Sequence, residues 1–292
     1  CERLNRASAE LAEFVADFDD DEHSAHRRFY RQHLCRYFHR APLLRRAYYK
    51  PLGYAGDYEM MNMLYRRHAE GDTLFGKVLN VYACQEAAAQ ANINRIEYFH
   101  RRISDLLRRT PEGRVRIASI GCGPAHEIRT LLESRPELGP RIDVALIDQE
   151  ERAIQYCERT LGPLAARTGA RIHFIGESIR RLLTARSLQE ALGTRDLIYS
   201  AGLFDYISDR SFEALLGALY GALEPGGPLY VGNVNRTTNT TKWSMEYASD
   251  WYLIHRTDAQ LMALASALRP SPKLQEVESE PLGVNLFLHI VR

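Results

Sequence analysis

Two closely spaced glycines and one acidic residue, each following an apolar run, are the residues best suited to chemistry. Gly121 and Gly123 come directly after "RIASI", and the residues beyond them have helical spacing. Glycines let a backbone turn sharply and approach a ligand closely. Asp148 follows a second apolar run, "IDVALI", twenty-seven positions after Gly121. An acid placed there can accept both hydroxyls of a ribose, so the pattern predicts a nucleoside site.

Two other interpretations of these residues stay open. The glycines alone are also typical of a tight turn, and Asp148 is a good N-cap for the helical segment "QEERAIQYCERTL". A dinucleotide is disfavoured, because His126 and Glu127 stand where a third glycine and a helix N-terminus would receive a pyrophosphate. The Glu127 carboxylate would repel that pyrophosphate, whereas a cationic sulfonium ligand meets no such repulsion.

The elements that position these residues change character near "TPEG", residues 110 to 113. Apolar residues before this point recur at helical spacing, which predicts a helical N-terminal domain over 1–110 that closes a pocket. After it, an α/β domain is predicted over 111–292, because short β-branched runs alternate with amphipathic ones. The seven predicted strands are "VRIASI", "IDVALI", "RIHFI", "DLIYS", "PLYVGNV", "KLQEVES" and "NLFLHIV". Only "EPLG" separates the last two, which is long enough for a hairpin and too short for a crossover helix, so the last strand should be antiparallel.

The α/β half resembles the class I S-adenosylmethionine-dependent methyltransferases over residues 114–292. Its matching stretches are "IASIGCGPAHE", "LIDQEERAI", "IHFIGESI", "DLIYSAGLFDYISD" and "LEPGGPLYVGNV". The resemblance implies a Rossmann-like, mostly parallel sheet and S-adenosylmethionine as the cofactor. The cofactor-binding residues it implies are Gly121, Cys122, Gly123, Ala125, Glu127, Asp148, Gln149, Glu177, Ser178, Ser200, Ala201 and Gly202.

One departure from the family pattern concerns the amino group of the cofactor's methionine moiety. Ser119 stands where the family often has an acid, so we expect Glu127 or a backbone carbonyl to take that role. Cys122 has no positioned histidine partner in the sequence, so packing is the simpler interpretation of its thiol.

A narrower resemblance concerns the segments "YYKPLGYAGDYEMMNMLY" and "WSMEYASDWYLIHRT". They look like a bacterial group that makes the methyl ester of 3-hydroxypalmitic acid. This implies biosynthetic methylation of a small-molecule carboxylate, with N- or O-methylation of another metabolite as the alternative. A carboxylate is already ionised at neutral pH, whereas a hydroxyl or ammonium must first lose a proton to a base such as His255.

Two segments are suited to covering a substrate, because methyl transfer requires alignment and exclusion of water. The first is "KPLGYAGDYEMMNM", and the second runs from Asn233 to Arg256. The predicted catalytic residues are Tyr54, Tyr206, His255 and Arg256. The predicted substrate residues are Tyr54, Asp57, Tyr58, Met61, Tyr206, Asn233, Trp243, Tyr247, Trp251 and His255. Asp57 as a helix cap, and the methionines and tryptophans as core, are the competing interpretations.

Composition narrows the remaining possibilities. The net charge is +1, and the five cysteines are scattered without a CxxC pair, so we expect no metal and a cytoplasmic protein. No apolar run reaches the length of a membrane span. The basic segment "RRFYRQHLCRYFHRAPLLRRAYYK" could meet nucleic acid, but "DFDDDEH" precedes it and "SAGLFDY" differs from the N-P-P-Y type that grips a flipped base. We therefore expect a small-molecule enzyme, with a non-catalytic nucleoside-binding or interaction protein, or an NAD-dependent oxidoreductase, as alternatives; the sequence leaves its oligomeric state open.

Overall fold

The computed structural model describes residues 2–66, 68–182, 188, 190, 192–238 and 242–292. It divides into two compact units. The helical unit comprises Cys1–Ile93 and Thr238–Leu253, and the sheet unit comprises Asn94–Thr237 and Ile254–Arg292. These units differ from the predicted domains in two ways: the boundary lies inside a long helix rather than at residue 110, and a segment from the second half joins the helical unit. Cys1 and residues 239–241 of the second predicted covering segment lie outside the described residues.

The sheet unit contains one sheet of seven strands, as the sequence predicts. The strands are β1 (Val115–Ile120), β2 (Ile142–Asp148), β3 (Arg171–Gly176), β4 (Leu197–Ser200), β5 (Pro228–Val234), β6 (Leu274–Ser279) and β7 (Asn285–Val291). Their order across the sheet is β3-β2-β1-β4-β5-β7-β6. The neighbours from β3 to β5 pair in parallel, while β7 pairs antiparallel with both β5 and β6. The predicted antiparallel last strand is confirmed.

Thirteen helical segments of the described residues accompany the sheet and form the helical unit. They are α1 (Glu2–Phe14), α2 (Asp20–His33), α3 (Cys35–Phe38), α4 (Pro42–Tyr49), α5 (Tyr58–Arg66), α6 (Leu74–Gln85), α7 (Ala87–Arg109), α8 (His126–Ser134), α9 (Glu151–Thr168), α10 (Ile179–Leu182), α11 (Asp209–Gly221), α12 (Lys242–Ser249) and α13 (Asp258–Ala265). Two 3-10 helices, Pro136–Arg141 and Phe204–Tyr206, complete the connections.

The central strands are buried on both faces, which explains their unbroken apolar sequences. Every residue of β4 is buried, and in β1 and β2 only Arg116 and Asp143 are partly exposed. Two apolar clusters result, and each contains residues of the strands together with residues of the helices. Because parallel strands end at one edge, this packing brings the turns after β1, β2 and β4 to the same edge of the sheet.

The hairpin between β6 and β7 is built around the buried carboxylate of Glu280. Its Oε1 accepts hydrogen bonds from the backbone of Val284 at 2.7 Å and of Asn285 at 3.2 Å, and its Oε2 accepts one from Leu282 at 2.9 Å. Gly283 takes a positive φ of 69° in the same turn. These bonds satisfy backbone donors that the tight connection leaves without strand partners, so the "EPLG" segment closes the hairpin as predicted.

A polar network on β6 and β7 was not predicted from the sequence. His289 lies 2.9 Å from a carboxylate oxygen of Glu276, and Tyr98 donates to Glu278 at 2.6 Å. Burial would raise the pKa of Glu278, but hydrogen bonds from His289 and Tyr98 and an ion pair with Arg102 lower this pKa to about 2. The network ties α7 to the edge of the sheet.

No helix in the part of the chain that the structure describes combines the length and apolar character needed to cross a membrane.

Candidate functional site

The turn after β1 has the strained backbone that its glycines suggest. Gly121 and Gly123 have φ angles of 66° and 53°, and Ala125, at the N-cap of α8, has a φ of 45°. A side chain on Gly121 would come within 3.2 Å of Leu203, whereas a side chain on Gly123 would meet open space. The turn is therefore closed on the Leu203 side and open over Gly123, where its backbone can approach a ligand.

Asp148 holds this turn in place from the end of β2. Its Oδ2 accepts a hydrogen bond from the Gly123 amide at 2.8 Å, and its Oδ1 accepts one from the Glu150 amide at 2.9 Å. Burial raises the pKa of Asp148, and these two amides partly offset that rise. The helix-capping role is filled by Glu150, whose side chain accepts from Arg152 at the start of α9. Asp148 is therefore not the N-cap of α9, and each of its carboxylate oxygens can accept a further hydrogen bond.

Glu127 places a second buried carboxylate beside the same turn. Its Oε1 accepts a hydrogen bond from the Tyr199 hydroxyl at 2.7 Å, and the residue as a whole is only 7% exposed. Burial, and then the charge of Glu127, raise the pKa of Tyr199. Within the described ranges, no lysine or arginine nitrogen lies within 4 Å of a carboxylate oxygen of Glu127 or Asp148. Two buried acids without a basic partner favour a cationic ligand.

Cys122 and His126 flank the turn without adding a charge. Cys122 and Cys157 both lie near the Gly123 carbonyl, with sulfur to oxygen distances of 3.7 Å and 3.2 Å. The hydrogen bond between the thiols, followed by burial, raises the pKa of Cys122. This environment agrees with a packing role for Cys122. Burial and then the charge of Arg129 lower the pKa of His126 to about 4, so this imidazole is neutral at pH 7.

The turn after β3 carries two of the predicted cofactor-binding residues, Glu177 and Ser178. The Glu177 amide donates to the Asp148 carbonyl at 3.0 Å, which brings this turn next to the end of β2. The Glu177 carboxylate accepts from the Ser178 amide at 2.8 Å and pairs with Arg181 at 3.1 Å. Ser178 and Gln149 are exposed. These three residues therefore lie on the same edge as the glycine turn.

The end of β4 carries the predicted residues Ser200, Ala201 and Gly202, and it lies beside Arg95, which the sequence did not single out. Ser200 is buried and donates to the Ile120 carbonyl at 2.8 Å, so its hydroxyl joins β4 to β1. Arg95, from α7, donates to the Ala201 carbonyl at 3.3 Å. A side chain on Gly202 would come within 2.9 Å of the Arg95 Nη1. Tyr206 follows on the 3-10 helix, and 39% of its surface is exposed.

Asn233 and Arg256 are buried and hydrogen-bond each other next to the residues that flank Tyr206. The Arg256 guanidinium donates to Asn233 Oδ1 at 2.7 Å, to the carbonyls of Phe204 and Ile207 at 3.0 Å and 2.8 Å, and to Asp209. Asn233 in turn donates to the carbonyls of Val234 and Ile254. These bonds favour a positioning role for Arg256 over its predicted catalytic role, and for Asn233 over its predicted contact with substrate. Both residues fix the loop that carries Tyr206. His255, the residue before Arg256, is buried.

Asp57 in the helical unit combines a cap with an unused acceptor. Its Oδ1 accepts from the Met60 amide and from Arg46 Nε, both at 2.8 Å, so the capping interpretation holds at the start of α5. Its Oδ2 is buried and, among the described residues, has no hydrogen-bond partner. Met61 is buried in an apolar cluster of this unit. Tyr54 and Tyr58, on either side of Asp57, are partly exposed.

The predicted aromatic residues near α12 mainly pack within the helical unit. The Tyr247 hydroxyl lies 3.0 Å from His23 Nδ1, and its ring contacts those of Tyr30 and Trp243. Trp251 packs against the cluster that contains Met61. Trp243 has a buried Nε1 that no hydrogen-bond acceptor of the described residues reaches. The core interpretation therefore accounts for the rings. It does not account for the Trp243 N–H, which has no acceptor among the described residues.

Glu86, between α6 and α7, is a titratable group of the helical unit that the sequence did not single out. Among the described residues, Ser244 donates to its carboxylate, and these hydrogen bonds are long, at 3.4 Å and 3.5 Å. Burial raises the pKa of Glu86 to about 7, and its charge contributes to the raised pKa values of Tyr30 and Tyr82. Glu13, in the same unit, is exposed to solvent and serves as a comparison.

Replacing Glu86 with glutamine is expected to stabilise the protein at high pH only. The folded-state pKa lies above the ordinary value of 4.5, so the folded protein binds this proton more tightly than the unfolded chain. Glu86 therefore makes the free energy of unfolding fall as the pH rises from 4.5 to 7. Glu86→Gln should remove this loss. The variant's advantage in free energy of unfolding over the unsubstituted protein should be about 2 kcal/mol larger at pH 8 than at pH 4.5, with partial solvent screening allowed for. Urea unfolding at both pH values measures the gain; an equal effect of the substitution at both, or the same gain in Glu13→Gln, contradicts it.

Comparisons with known proteins identify the fold through solved structures. No protein-family model and no curated protein matches this chain. A protein from Bordetella parapertussis, described as a possible exported protein, aligns with a TM-score of 0.61 and 17% identity over 81% of this chain and 79% of its own. Magnesium protoporphyrin IX methyltransferase from Synechocystis, with bound S-adenosylmethionine, aligns with a TM-score of 0.51 and 11% identity over 79% and 90%. The plantazolicin methyltransferase BpumL, in complex with S-adenosylhomocysteine, aligns with a TM-score of 0.51 and 17% identity over 80% and 98%.

The sheet order, the antiparallel β7 and these alignments together define the architecture. The chain has a Rossmann-like methyltransferase fold. At this level of identity the similarity concerns the fold, so the function must be argued from the site.

Proposed function

We propose that the protein is an S-adenosylmethionine-dependent methyltransferase that acts on a small molecule. The observation that carries the proposal is the pair of buried carboxylates, Asp148 and Glu127, beside a glycine turn that is open over Gly123. A sulfonium nucleoside with an amino group offers these acids a ribose and positive charge. A dinucleotide would bring its pyrophosphate against them. The similar structures with bound S-adenosylmethionine or S-adenosylhomocysteine support the same assignment.

The cofactor-side residues have distinct roles in this proposal. Asp148 accepts the ribose hydroxyls while it keeps the Gly123 amide in place. Glu177, Ser178 and Gln149 lie on the adenine side, and Glu127 receives the amino group. S-adenosylmethionine, when bound, supplies an activated methyl group. The chain's contribution is to orient that group and exclude water, since a methyl displacement needs alignment more than acid or base catalysis.

We propose a carboxylate as the methyl acceptor, so that the product is a methyl ester, as the resemblance to the 3-hydroxypalmitate group implies. A carboxylate needs only positioning, and its reaction with a sulfonium neutralises two opposite charges, which a desolvated site assists. Tyr206 is the proposed acceptor-side residue of the sheet unit. Tyr54, Asp57, Tyr58 and Met61, in the helical unit, stay substrate residues that the sequence predicts. His255 would serve as a base only in the alternative reaction, N- or O-methylation.

Transfer of an isotopically labelled methyl group to a metabolite extract tests both levels of this proposal. We expect one or more small molecules to gain the label, and alkaline hydrolysis to release it as methanol, because esters hydrolyse where N-methyl and ether groups do not. Label that resists alkali would contradict the carboxylate acceptor. Binding of S-adenosylhomocysteine without any transfer of label would favour the non-catalytic alternative.

A further inference from the structure

The helical unit contains a pocket, lined by residues of α4 and α5, that the proposed function does not use. Its volume is about 330 Å³, at the small end of the range for ligand sites. The residues that line it are Pro42, Arg45, Arg46, Tyr49, Pro51 and Met63. All of them belong to the helical unit, and Arg45 and Tyr49 are exposed, so solvent reaches the pocket. The pocket therefore has room for one small molecule of one or two rings.

Two consecutive arginines and one carboxylate leave this pocket with a single net positive charge. The Nε of Arg46 donates to the Oδ1 of Asp57 at 2.8 Å, and this fully buried carboxylate balances the charge of Arg46. Arg45 is exposed, and in the part of the chain that the structure describes no carboxylate pairs with it. The remaining charge suits a monoanion, whereas a phosphate monoester would bring nearly two negative charges towards Asp57.

The other walls of the pocket are apolar, and one of them is an exposed aromatic ring. Tyr49 is 66% exposed, yet its ring makes edge contacts with those of His39 and Tyr48, at centroid distances of 5.7 Å and 5.3 Å. Met63 is buried, and a thioether packs favourably on aromatic rings. Tyrosine rings and guanidinium planes also stack on aromatic groups. Walls of these types favour a flat ring over a flexible chain.

We propose that this pocket binds an aromatic monocarboxylate, with its carboxylate on the two arginines and its ring against Tyr49 and Met63. A guanidinium is a planar fork whose donors match the two oxygens of a carboxylate. An inorganic anion would leave the apolar walls uncovered, and a neutral ring would leave the charge of Arg45 without a partner. The site goes beyond the proposed function and does not depend on S-adenosylmethionine.

Three ligands test the charge and the ring separately by calorimetry on the full chain. They are 2-naphthoate, its neutral amide 2-naphthamide, and octanoate, a carboxylate with a flexible chain. We expect saturable binding of one 2-naphthoate per chain, with the other two ligands about tenfold weaker. Equal affinity for 2-naphthamide contradicts recognition of the carboxylate, and equal affinity for octanoate contradicts recognition of the ring. No binding of 2-naphthoate overturns the proposal as a whole.

Two substitutions at exposed positions, which should leave the thermal transition unchanged, locate the bound ligand. Arg45→Gln should weaken 2-naphthoate binding about tenfold and leave 2-naphthamide binding unchanged, because it removes the charge alone. Tyr49→Ala should weaken both ligands by the same factor, because it removes a wall. Arg28→Gln, an exposed arginine outside the pocket, is the control and should bind both ligands normally.

Normal binding of 2-naphthoate by both Arg45→Gln and Tyr49→Ala would place the ligand elsewhere and contradict the proposal. Failure of the proposed function looks different, because the unsubstituted protein would then bind no S-adenosylhomocysteine while its affinity for 2-naphthoate stayed the same.

Discussion

Replacing Asp148 with alanine is expected to weaken S-adenosylhomocysteine binding about hundredfold, while the chain still folds. The substitution removes the carboxylate proposed to accept the ribose hydroxyls, and each hydrogen bond to a charged group contributes about 1.5–3 kcal/mol. It also releases the Gly123 amide, which Asp148 holds at 2.8 Å. The turn then loses both its ligand partner and the bond that fixes its backbone. Calorimetric titration with S-adenosylhomocysteine measures the loss.

The fold of Asp148→Ala should survive because no basic side chain of the described residues forms an ion pair with the buried carboxylate. Burial raises its pKa, which means that the charged form is disfavoured in the folded protein. Asp143→Ala, at the opposite end of β2, is the control: it removes contacts with Arg195 and His173 and should leave ligand affinity unchanged. Retention of full affinity by Asp148→Ala, with a normal thermal transition, would contradict the role given to this residue.

Replacing Arg256 with methionine is expected to lower the free energy of unfolding by about 3 kcal/mol or more. The guanidinium is fully enclosed, and it satisfies the carbonyls of Phe204 and Ile207 and the side-chain oxygen of Asn233. Methionine fills much of the same space but donates no hydrogen bond, so these acceptors lose the hydrogen bonds that the guanidinium supplies. Urea unfolding of the variant and of the unsubstituted protein gives the difference.

Two further variants separate burial of the guanidinium from its ion pair. Asp209 is mostly exposed, so Asp209→Ala should lower the free energy of unfolding by less than 1 kcal/mol. Arg210→Met, at an exposed neighbouring position, should change it little. If Arg256→Met and Arg210→Met have the same free energy of unfolding, then Arg256 does not hold the loop that carries Tyr206. That result would favour the predicted catalytic role of Arg256.

The strands and the glycine turn could be predicted because their signals are local. A strand buried on both faces must be apolar throughout, and the turn after β1 needs residues that tolerate a positive φ, as at Gly121 and Gly123. The hairpin before β7 followed in the same way from the short connection of residues 280–283. In each case the chain's geometry over a few residues dictates the residue types.

The remaining features depend on contacts between distant parts of the chain. The segment Thr238–Leu253 joins the helical unit although the chain places it after β5, and no local pattern reports such a partner. Arg95 was overlooked because it lies among the polar residues of an amphipathic helix, and only the fold brings it to Gly202. Arg256 was predicted to be catalytic from its position beside His255, whereas its buried hydrogen bonds become visible only in three dimensions.

The central claim is that the turn after β1 and the carboxylate of Asp148 bind the adenosine moiety of S-adenosylmethionine, which its product S-adenosylhomocysteine shares. Calorimetric titration of the unsubstituted protein with S-adenosylhomocysteine, and separately with NAD, tests this claim most directly, because both contain adenosine and only NAD carries a pyrophosphate. We predict saturable binding of one S-adenosylhomocysteine per chain and no heat from NAD. Saturation by NAD, or a folded protein that gives no heat with S-adenosylhomocysteine, would contradict it.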